Sequence, residues 1–240
     1  MNAVRVGCCG FPMARREYFA RFPVVEVQRT FYQPPRIETL RRWREEAPPD
    51  FEFTLKAWQL ITHTPASPTY RRTAVAVPEQ ERACYGNFRP TEQVHRAWRA
   101  TLACARALRA RALVFQCPPS FIESEEHMGN MARFFSEARR DAADLLFGWE
   151  PRGGWARETV ERLCAELNLL LVVDPFAAAP PAAGLHYFRL HGIGGYGYRY
   201  SDDDLERLRS LCVGETYCLF NNTHMADDAS RFLAMAGSDL

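Results

Sequence analysis

Along the chain, short apolar runs rich in Val, Leu and Phe take turns with longer stretches of helical period. The runs cover residues 4–10, 24–31, 51–58, 112–117, 146–152, 169–174, 185–191 and 215–222. Helical periodicity marks residues 36–47, 91–110, 125–142, 155–168 and 201–212, and 227–236 closes the series. Thr91 stands before the long amphipathic run. Ser201 is followed by Asp202, Asp203 and Asp204, a side-chain cap plus acids suited to the positive end of a helix dipole. Strands alternating with helices predict a parallel sheet, because parallel neighbours need crossover connections. Eight strands in 240 residues predict one α/β domain over residues 1–240, a parallel (β/α)8 barrel of TIM type. Residues 177–184, AAAPPAAG, are too short and proline-broken for a crossover helix. At least one crossover is therefore degenerate, and an open doubly wound sheet is the competing fold.

Side chains alternate across a strand, so a barrel strand turns one face to the helices and the other to the interior. In FEFTLKAW, Phe51, Phe53 and Leu55 form the helix-facing side, and Glu52, Thr54 and Lys56 point inward. The same reading turns Glu26, Gln28 and Thr30 inward on the second strand and Gly148, Glu150 and Arg152 on the fifth. On the seventh it selects Tyr187, Arg189 and His191. Gln116 and Asp174 end the fourth and sixth strands, and Asn221 with Asn222 the eighth. A purely supporting barrel interior is layered with bulky apolar side chains, whereas this one is expected to turn polar toward the strand C-termini, where barrel enzymes keep their sites. The largest irregular segment, 59–90, follows the third strand and carries His63. A strand-to-helix loop of that length is expected to wall or cover the mouth. After the seventh strand, HGIGGYGYRY sets Gly192, Gly194, Gly195 and Gly197 among Tyr196, Tyr198 and Tyr200. It reads either as a loop whose backbone N–H groups approach an anion or as a tyrosine-bearing flap.

Composition narrows the function classes. A hydrophobic fraction of 47% is ample for a full core, and a net charge of +1 supplies no field that draws the chain to nucleic acid or an anionic membrane. No apolar run approaches the roughly 20 residues of a membrane span, and the N-terminus lacks the regions of a signal peptide. A soluble, cytoplasmic protein without a membrane partner is expected. The eight cysteines show no CxxC pair and no zinc-site spacing, and most read as small buried hydrophobes. Adjacent Cys8 and Cys9 either pack in the first strand or oxidise or bind a soft metal together. The basic residues alter the picture most: of 30, 29 are arginine, and Lys56 is the only lysine. Either one lysine survived a compositional bias, or the position needs an amine that deprotonates, forms a Schiff base or acts as a compact charge.

The segments FPVVEVQRTFYQPPRIETLRRW, FEFTLKAWQLITH, LVFQCPPSF, FGWEPRGGW, HYFRLHG and YCLFNNT, in this order, resemble domain-of-unknown-function family 72, the YecE-like proteins, over residues 4–235. The resemblance implies a TIM-barrel fold and carries no established activity. It marks Glu26, Thr30, Phe31, Tyr32, Lys56, Thr62, His63, Gln116, Pro118, Pro119, Glu150, Arg152, Trp155, Asp174, Arg189, His191, Gly192 and Asn222 as matching positions. Two departures put the ligand preference in doubt. Cys9, Gly10 and Phe11 stand where the family has a Ser-Gly-Trp type sequence, and Gln28 and Arg29 where it has an Asn-Ser pair.

Three readings of function compete. In the first, the chain is an enzyme on a small anionic metabolite, sugar or sugar phosphate in kind. Lys56, Glu150, Asp174 and His191 supply acid/base chemistry, and Arg152 and Arg189 hold the anion. Glu26, Gln28, Tyr32, His63, Gln116, Trp155 and Asn222 complete the ligand-binding set, and a Schiff-base variant makes Lys56 the nucleophile. In the second, Glu150, Asp174, His191 and Glu26 bind a metal for hydrolysis, isomerisation or phosphodiester cleavage; the neighbouring Lys56, Arg152 and Arg189 oppose a cation, so a metal cofactor is not favoured. In the third, a non-catalytic barrel binds a metabolite or RNA by stacking on Tyr32, Trp58, Trp155 and Tyr198, with nucleic acid the less favoured partner. A mutually satisfied ion network is the purely structural explanation of the inward charges. Buried pairs often add no net stability, which weighs toward a site.

Overall fold

A computed structural model describes residues 4–237. Eight strands, β1 (Val4–Cys9), β2 (Val24–Val27), β3 (Glu52–Lys56), β4 (Ala112–Gln116), β5 (Leu146–Glu150), β6 (Leu170–Val173), β7 (His186–Leu190) and β8 (Thr216–Phe220), follow one another in chain order and close into a parallel barrel. The helices are α1 (Arg15–Arg21), α2 (Arg29–Tyr32), α3 (Ile37–Glu46), α4 (Gln59–Thr62), α5 (Glu92–Leu108), α6 (Glu125–Asp141), α7 (Arg157–Glu166), α8 (Asp202–Leu211) and α9 (Met225–Gly237). Between β6 and β7 no helix forms, as the Pro180-Pro181 break requires. The long loop after β3 holds two 3₁₀ turns, Pro68–Arg72 and Glu79–Cys84.

Expected strand residues fall outside three strands: β5 ends at Glu150 and β7 at Leu190, so Arg152 and His191 lie beyond them. The second apolar run ends as a strand at Val27, and Gln28 adopts a right-handed helical backbone that opens α2. Gln28 and Thr30 are therefore not inward strand residues. The turn is held by the Phe31 N–H, which donates to the Gln28 carbonyl at 3.1 Å, and by the Thr30 hydroxyl, which donates to the Lys56 carbonyl at 2.7 Å.

The described residues group into two compact units, one of 4–27, Glu45–Thr54 and 170–237, the other of Gln28–Arg44 and Leu55–Leu169. In the first, Phe19 packs edge-on against Phe51 and Phe53, the helix-facing residues of the alternation. The Tyr18 hydroxyl donates to the Val24 carbonyl and accepts the Cys8 N–H, joining β1 to β2. Cys8 and Cys9 are buried free thiols in that strand. Ser201 and Asp204 form a reciprocal capping box at the start of α8.

In the second unit, Thr91 caps α5 by accepting the Val94 N–H. The helix buries Val94, Ala97, Trp98, Thr101, Cys104, Ala105 and Leu108, the three-and-four spacing of one face. Trp98, Phe134 and Phe135 pack around Phe115 and Phe147, which project from β4 and β5.

Candidate functional site

Polar side chains gather at strand ends within each unit. In the first unit, Glu26 on β2 and Arg189 on β7 make an ion pair of 3.1 Å at essentially zero exposure. The Tyr187 hydroxyl donates to the other Glu26 oxygen at 2.8 Å, and Thr54 lies 2.7 Å from that hydroxyl. Since the single tyrosine proton serves Glu26, Thr54 is the donor to Tyr187. Cys9 adjoins the pair, and burial and then the Glu26 charge push its thiol well above the usual range, so it stays protonated.

Beyond the ends of β6 and β7, the Asp174 carboxylate accepts the His191 N–H at 2.9 Å and the Phe176 N–H at 3.0 Å, which fixes its orientation. Its Oδ2 lies 3.4 Å from His191 Nδ1, a carboxylate placed to orient an imidazole. Tyr196 meets the His191 ring edge-on. Gly192 has φ +90°, and a Cβ there would lie 2.2 Å from the Gly195 carbonyl oxygen, so the flap's turn requires glycine. Asn222 is committed to the scaffold: its amide donates to Asp228 and to the Tyr198 carbonyl.

In the second unit the only lysine ends β3. Lys56 is 5% exposed, with its Nζ 3.6 Å from the centre of the Phe31 ring. Phe31 also meets the rings of His63 and Tyr32 edge-on, each at 5.0 Å between centres. His63 is buried, its Nδ1 2.8 Å from the Thr62 hydroxyl. Burial first, and then the Lys56 and Arg152 charges, push this histidine down to about 3, so the imidazole is neutral at ordinary pH. Arg152 donates through Nε and Nη2 to one oxygen of the buried Glu150, at 2.9 and 2.8 Å. Gln116 ends β4 half-buried. Trp155 packs on Trp149 and donates to the Phe121 carbonyl at 2.6 Å, an anchored ring and not an open stacking platform. The Tyr198 hydroxyl donates to Asp204 at 2.8 Å.

His63 owes its place to a strap of unusual backbone. Gly86, Asn87 and Phe88 all have positive φ, and their N–H groups donate to the carbonyls of Leu60, Thr62 and Ile61. A Cβ on Gly86 would lie 2.4 Å from the His63 carbonyl carbon and oxygen. Gly86→Ala is expected to cost about 1–3 kcal/mol, from strain at positive φ and from overlap with backbone that has no room to yield. Urea unfolding checks it, and an unchanged midpoint would show that the strap is not strained as described.

Among the described residues, no group of three or more His, Cys, Asp and Glu side chains is arranged to hold a metal ion. No described helix is long and apolar enough to cross a membrane. Sequence reasoning found the strand-end residues of both clusters. It missed the contacts that hold them, above all Phe31 beneath Lys56 and Arg72 over Tyr32.

The closed parallel barrel with polar side chains at its strand ends places the chain in the class of TIM-barrel proteins. The chain belongs to the family described as "Protein of unknown function DUF72", which it matches over residues 13–239. A DUF72 family protein from Thermotoga maritima is 20% identical with a TM-score of 0.66, over 98% of this chain and 100% of that one. One from Enterococcus faecalis is 17% identical with a TM-score of 0.70, over 98% and 94%. A xylose isomerase domain containing protein from Salmonella typhimurium is 15% identical with a TM-score of 0.58, over 95% and 93%. At these identities the structural likeness speaks for the fold alone. No curated protein matches the chain.

Proposed function

We propose that the chain is an enzyme acting on a small anionic metabolite, sugar or sugar phosphate in kind, by acid/base chemistry at the cluster of Lys56, His63, Glu150 and Arg152. The observation that carries this reading is the neutral His63 beside two cations, Lys56 and Arg152. A scaffold gains little from assembling like charges around a buried ring, whereas a site for an anion, or for charge that develops as a proton leaves carbon, needs that positive potential. Arg152, steered by Glu150, supplies a planar fork for carboxylate or phosphate. Lys56, buried against the Phe31 ring, is the proton carrier.

The test is consumption of a panel of sugar acids and sugar phosphates, followed by proton NMR. Wild type is expected to turn over at least one member, and Lys56→Met to lose roughly 10²–10⁴-fold in rate while keeping its unfolding midpoint. Borohydride trapping with the reactive member separates a Schiff base from proton transfer. Undiminished turnover by Lys56→Met, or a wild type inert to the whole panel, overturns the reading.

A further inference from the structure

Outside that cluster, α2 and the Pro68–Arg72 turn enclose an open depression of about 380 Å³ lined by Gln28, Arg29, Tyr32, Gln33 and Arg72. Its lining contains no carboxylate. The Arg72 guanidinium lies 3.8 Å from the centre of the Tyr32 ring, which holds it in place without neutralising it. Many exposed arginines of this chain are matched to an acid, as Arg99 is to Glu92, Arg157 to Glu161 and Arg199 to Asp227. Among the described residues, Arg29 and Arg72 have no carboxylate partner.

The amides add to the same polarity. Gln33 Oε1 accepts the Ala74 N–H at 3.2 Å and the Thr73 hydroxyl at 3.5 Å, so the Nε2 donors of Gln33 are what remain for a ligand. Two guanidinium groups and an amide donor facing one depression, with no acid among them, match a compact group that is all acceptor and carries more than one negative charge.

We infer that this depression is a phosphate-binding site, in which Arg29 and Arg72 grip the oxyanion and Gln33 donates to it. The inference stands apart from the acid/base reading of the Lys56 cluster. The two meet structurally through Phe31, which lies against both Lys56 and Tyr32. A phosphate seated here would also bridge the turn after β2 to the long loop after β3.

The experiment measures binding of inorganic phosphate and of ribose 5-phosphate by calorimetry at fixed ionic strength, in wild type, Arg29→Gln, Arg72→Gln and Lys56→Met. Both arginines are exposed, so the variants should fold. Saturable binding of inorganic phosphate is expected in wild type, falling about tenfold or more in each arginine variant, as for loss of a charge-assisted hydrogen bond. It should weaken as salt is added. Tighter binding of the ester that both arginine variants weaken identifies a phosphorylated metabolite as the ligand, and equal affinity identifies free phosphate. Binding that survives both arginine replacements, or that only Lys56→Met abolishes, overturns the assignment and moves the anion to the Lys56 cluster. Absence of saturable binding in wild type also overturns it, while leaving the turnover test of the enzyme reading untouched.

Discussion

Arg189→Met is expected to destabilise the protein by about 3–5 kcal/mol, because it leaves the Glu26 carboxylate without its cation in a place that water does not reach. The Tyr187 hydroxyl that also donates to Glu26 is neutral and cannot replace a full charge. The second substitution that tests this account is Glu26→Gln. The double variant, with both charges gone, should recover much of what Arg189→Met loses, since a buried pair removed whole is often close to neutral. Urea unfolding of the four proteins closes the cycle. An Arg189→Met protein within about 1 kcal/mol of wild type, or a double variant no better than the single, would show that the pair is not isolated from solvent as its geometry implies.

How much of this was legible in the chain depends on whether the signal is local. Alternation along VVEV and HYFRL places Glu26 and Arg189 on one face of their strands, and the structure joins them. The caps at Thr91 and Ser201 are read from neighbouring residues, and both form. The pattern misleads at QRTF: Arg29 breaks the alternation, Phe31 resumes its phase, and the backbone turns into α2. Neither glycine nor proline marks the change, and Phe31 is buried in either conformation, so burial pattern alone does not separate the two. Arg72 over Tyr32 joins residues far apart in the chain, through a loop whose course follows no period. The same holds for His63: its position rests on Gly86, Asn87 and Phe88, which become a strap only when folded against α4. Lys56 stood out by composition, but the aromatic ring under it did not.

That tertiary placement of His63 gives the chain a titration that only the folded state shows. In the unfolded chain the imidazole takes up a proton as pH falls through its ordinary 6.5; in the folded protein, burial and then the Lys56 and Arg152 charges delay this to about 3. Between those values the unfolded state binds the extra proton. The contribution of neutral His63 is therefore complete above pH 6.5 and declines as pH falls toward about 3, by up to about 1.4 kcal/mol per pH unit. By about pH 4 the loss should be on the order of 3 kcal/mol relative to a protein with no titrating group at that position. His63→Gln supplies that reference, since it retains hydrogen-bonding capacity toward Thr62 and carries no charge. Acid-sensitive carboxylates act on both proteins alike, so the quantity to measure is the difference between their urea midpoints at about pH 7.5 and pH 4. Wild type should lose ground to the variant as pH falls, and a difference that stays constant would mean that the ring is not held neutral. Imidazole NMR separates the two causes: Lys56→Met removes one cation and should raise the His63 titration, while burial keeps it below the ordinary value. A His63 titration that does not move would place Lys56 outside the field of that ring, and with it would go the positive potential on which the enzyme reading rests.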